Sequence, residues 1–436
     1  MSRSGVRQLT GRATWNVLDQ VVSSGTNLLL SLLVARSLSA DGFGAFAVAF
    51  TVYAFLVGAG RALIAQPLVV RYASQGTAAF HDASRSATGA AAALGAVAGG
   101  VTLASGFLLG GPTGACLVAI GVLLPGLLLQ DMWRAVFVSE GRPAAALVND
   151  VAWGVAQFAL VGCFLLLDQR SAVAMLVGWG GAALVAAVLG GFQFRGHPQV
   201  RSSVSWMRQQ RDLVGYYAAS FLAVMGANQL TMLLIAGLGE PSDVGALRAA
   251  QVVLGPLNLL GYSISAFALP EISRRQLGGA AALKAAVAIS ALMVLADVAW
   301  GLTLLYLPDS VGESLLGDSW SNAQEVLPAT LLGVVAVGTG LGATTLMVAR
   351  GFAKETFLIS LVLAPGFLVL GLTGLQLGDA AGAALGLSLA QCVVTPLVWW
   401  RVLVLMRRES RASSHGPADG SDGRSTPGLA GAPARP

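Results

Sequence analysis

Between Thr14 and Met406 the chain is a succession of apolar runs, each about 20 residues long, separated by short polar connections. A run of that length crosses a bilayer as an α-helix, which satisfies its own backbone hydrogen bonds where no water is present. The pattern predicts twelve spans, at 14–36, 42–66, 86–110, 113–137, 145–167 and 172–194, then at 214–238, 244–268, 280–306, 326–349, 356–377 and 380–406. The fold class expected is therefore all-α integral membrane. Charged residues make up 11% of the chain, where a soluble domain carries roughly 25%. Many of the 55 glycines fall inside the apolar runs. In lipid such small residues let helices approach closely, whereas in a soluble helix each costs about 1 kcal/mol.

The basic N-terminus, MSRSGVRQLTGR, leads into a run that carries Asp19, Gln20 and Asn27 and has no clean small-residue cleavage site. It reads as a retained first helix rather than a removed signal. In the twelve-span scheme, Arg3, Arg7, Arg12, Arg71, Arg85, Arg134, Arg142, Arg274, Arg275, Lys284, Arg350, Lys354, Arg407, Arg408 and Arg411 share one side. Arg36, Arg170 and Arg248 take the other. The positive-inside rule then puts both termini in the cytoplasm. The net charge of +5 follows this topology, so it gives no reason to expect nucleic acid as a partner.

The longest polar interruption before the tail is Arg195–Asp212, with Arg195, Arg201, Arg208 and Arg211 against Asp212. It divides the chain into six-helix lobes at 1–194 and 214–406, joined by a basic linker at 195–213. Residues 407–436 read as a disordered cytoplasmic tail rich in Ser, Gly, Pro and Arg. Val204, Trp206, Met207 and Leu213 alternate with the linker arginines. This suits either an interfacial helix on anionic headgroups or a loop with a few anchors.

The halves also match in sequence. Asn27, Leu33, Gly44 and Ala45 correspond to Asn228, Leu234, Gly245 and Ala246 at an offset of 201, and Pro67 and Arg71 to Pro270 and Arg274 at an offset of 203. Six helices per half in one orientation is a parallel repeat, a design in which the substrate path runs between the halves.

No Walker A loop precedes either lysine, which excludes ATP as a direct energy source. His81, His197 and His415 lie in polar segments without metal-ligand spacing. Cys116, Cys163 and Cys392 sit in separate apolar runs as packing residues. No cofactor or metal is expected, and no extramembrane segment is large enough for an enzyme domain.

What remains is intramembrane polarity, which is costly unless it faces a cavity or a partner. Asp19, Ser23 and Asn27 fall on one face of the first helix. Arg248, Gln251, Asn258, Tyr262 and Ser265 form a stripe on the eighth. Both stripes suit either a cavity wall or interhelical hydrogen bonds. Arg61 lies too deep to snorkel, and either grips a phosphate or pairs with Asp19. Arg248 is either a substrate contact or an anchor at the external mouth. Asp297, near mid-bilayer, is a candidate for binding sodium or a proton, or a partner for Arg248. Asp131, Arg134, Glu140, Arg142, Asn149 and Asp150 cluster near the turn after the fourth helix, as a gate or a clasp. Pro125, Pro256 and Pro365 predict bends.

The stretch WNVLDQVVSSGTNLLLSLLVARSLSADGFGAFAVAF, with LLLQDMWRAVFVSEGRPAAALVNDVAW, resembles the polysaccharide-exporter branch of the multidrug/oligosaccharidyl-lipid/polysaccharide (MOP) superfamily. The resemblance implies a MATE-like pair of six-helix lobes that alternate between inward- and outward-open states in the plasma membrane. It implies a lipid-linked saccharide as substrate, with the lipid tail left in the bilayer and polysaccharide-assembly enzymes as partners. Only Arg61 and Arg248 supply intramembrane cations, fewer than a strongly cationic headgroup cavity has. Two other readings stay open: a cation-coupled exporter of small amphipathic molecules, and a membrane scaffold for polysaccharide assembly.

Overall fold

The computed structural model describes residues 40–239, 241–316 and 319–414, with Thr26, Leu30, Leu33, Val34, Ser37 and Leu38 before them. Most of the expected first helix, including Asp19 and Asn27, lies outside these residues.

The described chain is helical throughout. The first half holds α1 (Ala40–Gly60), a π-helical turn (Arg61–Ala65), α2 (Gln66–Tyr72), α3 (Thr77–Leu109), α4 (Gly111–Glu140), α5 (Pro143–Leu166) and α6 (Ala172–Phe194). The linker forms α7 (Val200–Gln209). The second half holds α8 (Arg211–Leu238), α9 (Pro241–Val253), α10 (Gly255–Arg275), α11 (Gly279–Leu305), α12 (Asp309–Leu316), α13 (Ser319–Ala349) and α14 (Ala353–Ser414). Among the described residues nine helices are long and apolar enough to cross a membrane, or ten when α9 and α10 count as one bent span.

Four differences from the expected helices have local causes. The eighth span is broken at Leu254, where α9 and α10 meet at 53°. Pro256, in the first turn of α10, lacks the N–H that would continue the ladder. The second span runs on to Tyr72 through the π turn just before Pro67, where the Gln66 N–H donates to the Arg61 carbonyl five residues back. α3 begins at Thr77, so His81 is helical and stacks on Phe194 at 4.2 Å. Residues 407–414, expected as disordered tail, continue α14 as helix, and 415–436 lie outside the described residues.

A straight helix of 62 residues would be about 90 Å long, three times the hydrocarbon thickness. α14 avoids this by folding back at Gly378 and Asp379, where the backbone leaves helical geometry. The limbs then pack so closely that a Cβ on Gly374 would lie 2.1 Å from the Gly382 carbonyl oxygen. Arg401 clamps the far end of this hairpin, donating to both Glu355 carboxylate oxygens at 2.7 and 2.8 Å.

Core clusters follow the halves. One gathers Trp179, Phe46, Leu124 and Trp153, and a second gathers Trp133, Phe137, Phe80 and Phe194, all from the first half with Trp206 of the linker. Others pack α10, α11, α13 and α14 around Leu346 and Met347, and α8, α9 and α14 around Ile235. α7 docks on α3: Gln199 N–H donates to the Arg85 carbonyl at 2.8 Å, Ser203 Oγ to the Ser86 carbonyl, and Trp206 is buried. Its other face exposes Val200, Arg201, Val204 and Arg208. The linker is therefore an amphipathic helix, one of the two forms its sequence allowed.

Candidate functional site

The halves meet at the linker end of the bundle. One shared apolar cluster joins Ala62 and Val70 to Leu213, Tyr217, Phe221, Leu269, Val348 and Ala353. Gly58 lets α8 approach, since a Cβ there would lie 2.6 Å from the Phe221 ring, and Phe55 packs on the same ring. Polar contacts close the edge. Arg71 donates to Asp212 at 2.5 Å and to the Gln209 carbonyl, and the Gln210 amide donates to the Tyr72 hydroxyl. These contacts run from Phe55 to the linker, so Ala40–Ala54 and the C-terminal turns of α8 lie beyond them, toward the opposite end.

Arg61 sits on the seam at the start of the π turn. Its Nε and Nη2 donate to the two Asp131 carboxylate oxygens at 3.1 and 2.6 Å, a bidentate pair. The guanidinium side chain keeps 44% of its surface accessible, while Asp131 keeps 15%. Arg61 thus has a structural partner within its own half, in Asp131 rather than in a residue of the first helix, and still presents a face outward. Asp131 is thereby separated from the cluster near the turn. The rest of that cluster is an interior clasp: Arg134 meets Asp150 at 3.4 Å, Gln130 donates to Asp150 at 2.9 Å, and Asn149 donates to the Ala186 carbonyl and to Gln193. Arg142 and Glu140 pair at its rim.

The second half contains a cavity of about 380 Å³ between α8, α9, α10, α11, α13 and α14. Gln251, Asn258, Tyr262 and Ser265 from the predicted stripe line it, joined by Asn228 of α8 and Gln391 of α14. The bend at Leu254 turns the two halves of the stripe toward one space. Tyr262 is also close enough to Arg61 to interact with it electrostatically, which links the cavity to the seam.

No family model and no curated protein matches the sequence. Solved structures match in fold. A MATE protein in its straight conformation aligns with a TM-score of 0.75 at 11% identity, over 93% of this chain and 96% of that one. An outward-facing multidrug resistance MATE family transporter of the MOP superfamily aligns at 0.74 and 10% identity, over 94% and 100%. A MOP superfamily transporter from Pyrococcus furiosus, described by the reverse polarity of its binding pocket, aligns at 0.70 and 12% identity, over 92% and 96%. The chain has the MATE fold.

Within this MATE fold the remaining candidates separate. Arg248 does not meet Asp297; its Nη1 lies 3.4 Å from Gln251 Oε1, one turn along α9. Asp297 is fully buried on α11, and both of its oxygens lack a hydrogen-bond partner. It packs against α13 where Gly338 leaves room, since a Cβ on Gly338 would lie 2.0 Å from Asp297 Oδ2. Sequence reasoning had singled out neither Gln391 nor Asn228 as a site residue. Asn228 carried a signal, its register with Asn27 in the repeat. Gln391 sits in an apolar run without a stripe, and only the folding-back of α14 brings it to the cavity.

Proposed function

We propose that the protein is a transporter, not an enzyme, that moves a lipid-linked oligosaccharide or another cell-envelope polysaccharide intermediate across the plasma membrane. The lobes at 1–194 and 214–406 rock about the seam, with both termini in the cytoplasm, and the closed linker end is then the cytoplasmic end. The observation that carries this reading is a half-exposed guanidinium, Arg61, facing a neutral polar cavity across a seam set among lipid-length helices. A cation and a hydroxyl-matching surface side by side suit a headgroup that joins phosphate to sugar, while a lipid chain stays in the bilayer. Asp297 gives no support to cation-coupled export of small amphiphiles, because it is sealed and does not line the cavity.

The test is flipping of a fluorescent polyprenyl-diphosphate oligosaccharide in proteoliposomes. Because Arg61→Ala alone orphans Asp131, it is compared with Arg61→Ala/Asp131→Ala. Wild type flips the probe, and both variants slow it about ten-fold or more, the scale of one lost hydrogen bond to a charged group. A folded wild type that flips nothing overturns the reading. A double variant at wild-type rate removes Arg61 from the path.

A further inference from the structure

Three carboxamides in the second half, Asn228, Asn258 and Gln391, line the cavity, and their side chains make no hydrogen bond within the protein among the described residues. The Tyr262 and Ser265 hydroxyls, on the same wall, are in the same state. Other hydroxyls of the membrane helices behave differently. Thr330 and Ser388, also at the cavity, donate to the Val326 and Ala329 carbonyls, as Ser263 and Thr231 nearby donate to carbonyls one turn back. Five unpartnered polar groups converging on one space at membrane depth are costly unless something in that space pairs with them.

The lining defines the chemistry of the ligand. It includes no Asp, Glu, Lys or Arg, so it is built for neither a cation nor an anion. Carboxamides donate and accept at once, as vicinal hydroxyls do, so each can engage a polyol in either sense. Met293, Leu257 and Phe367 supply apolar surface between the polar groups, the counterpart of the C–H face of a pyranose ring. At about 380 Å³ the cavity lies near the small end of ligand pockets, roughly 300–1,000 Å³. That is room for a short neutral glycan segment and not for a long polymer.

We infer that this cavity is a saccharide subsite, in which Asn228, Asn258, Tyr262, Ser265 and Gln391 hold one or two neutral sugar residues. The inference rests on the transporter reading and deepens it: Arg61 meets the phosphate at the seam, and the second half reads the sugar. Two chemistries are then handled by two halves, and the bend at Leu254 is what aims Asn258 and Tyr262 at the same ligand as Gln251.

The experiment measures binding apart from transport. Purified full-length protein in nanodiscs is examined by saturation-transfer NMR against a panel of free neutral di- and trisaccharides, with a hydrophobic organic cation as comparator. Wild type and Asn258→Leu/Gln391→Leu are compared, with thermal unfolding confirming that both are folded. Should the double variant not fold, Asn258→Asp/Gln391→Glu takes its place, keeping the shape and losing the amide donors. The expected result is a saccharide signal that the variant weakens about ten-fold or more, the scale of two lost neutral hydrogen bonds, while the cation signal is unchanged. No variant-sensitive saccharide signal, or a variant-sensitive signal from the cation alone, overturns the subsite. Saccharide binding that is lost in the variant, in a wild type that flips no lipid-linked probe, keeps the subsite and removes the flippase. Flipping at wild-type rate by the variant does the reverse.

Discussion

The two halves treat membrane-embedded polarity in opposite ways. In the first, the polar groups are charged and mutually satisfied: Arg61 with Asp131, Arg134 with Asp150, and Gln130 and Asn149 bridging α4, α5 and α6. In the second they are neutral and unspent, and they face a cavity, while the one carboxylate at mid-span, Asp297, is sealed without a partner. A polar side chain in lipid has two stable outcomes, a partner or a wet space. The first half takes the former and becomes a rigid body. The second takes the latter and keeps binding capacity. Arg61 is the exception that joins them, because it is paired and still reaches the seam.

That contrast can be broken by substitution. The largest effect is expected at Asp150, which is 3% exposed and meets both Arg134 and Gln130. Asp150→Ala leaves a buried guanidinium without its carboxylate, and thermal unfolding in detergent should show a loss of about 3–5 kcal/mol. A loss under 1 kcal/mol would mean that the clasp is ornamental and the first half is not the rigid body described.

Asp297→Leu should move stability the other way. Its oxygens have no partner to lose, and an apolar side chain of similar shape relieves a desolvated carboxylate, so stability holds or rises by about 1–3 kcal/mol. Unfolding at a lower temperature, particularly one that depends on sodium, would show that Asp297 holds a ligand and would revive the coupling role. The smallest effect is expected at the edge of the seam. Arg71 and Asp212 are both partly exposed, and Arg71→Gln should cost at most about 1 kcal/mol. A larger loss would make the linker contact, rather than the apolar cluster around Ala62 and Tyr217, the main bond between halves.

Much of the fold was legible because the constraint is one-dimensional. Apolar runs of bilayer length must be helices, and the spans from 42–66 to 380–406 each have a helical counterpart among the described residues. Where the reading differed, the cause was local backbone chemistry: Pro256 and Pro67 break or re-register the ladder, and the tail helix continues to Ser414. The stripe Gln251, Asn258, Tyr262 and Ser265 was also legible, because helical spacing puts such residues on one face whatever the neighbours do.

The partners were not legible. Spacing along a helix says nothing about which helix stands opposite, so Asp131 could not be recognised as the mate of Arg61, 70 residues away. Nor could Asp297 be separated from Arg248. Sequence alone thus determined what this chain is made of: helices of bilayer length, their order, and the polar faces they carry. The tertiary structure decided which polar groups are satisfied and which are left to face a cavity. That decision depends on distances between helices, set by small residues such as Gly58, Gly338 and Gly374 at the contacts, and no pattern within a single helix encodes it.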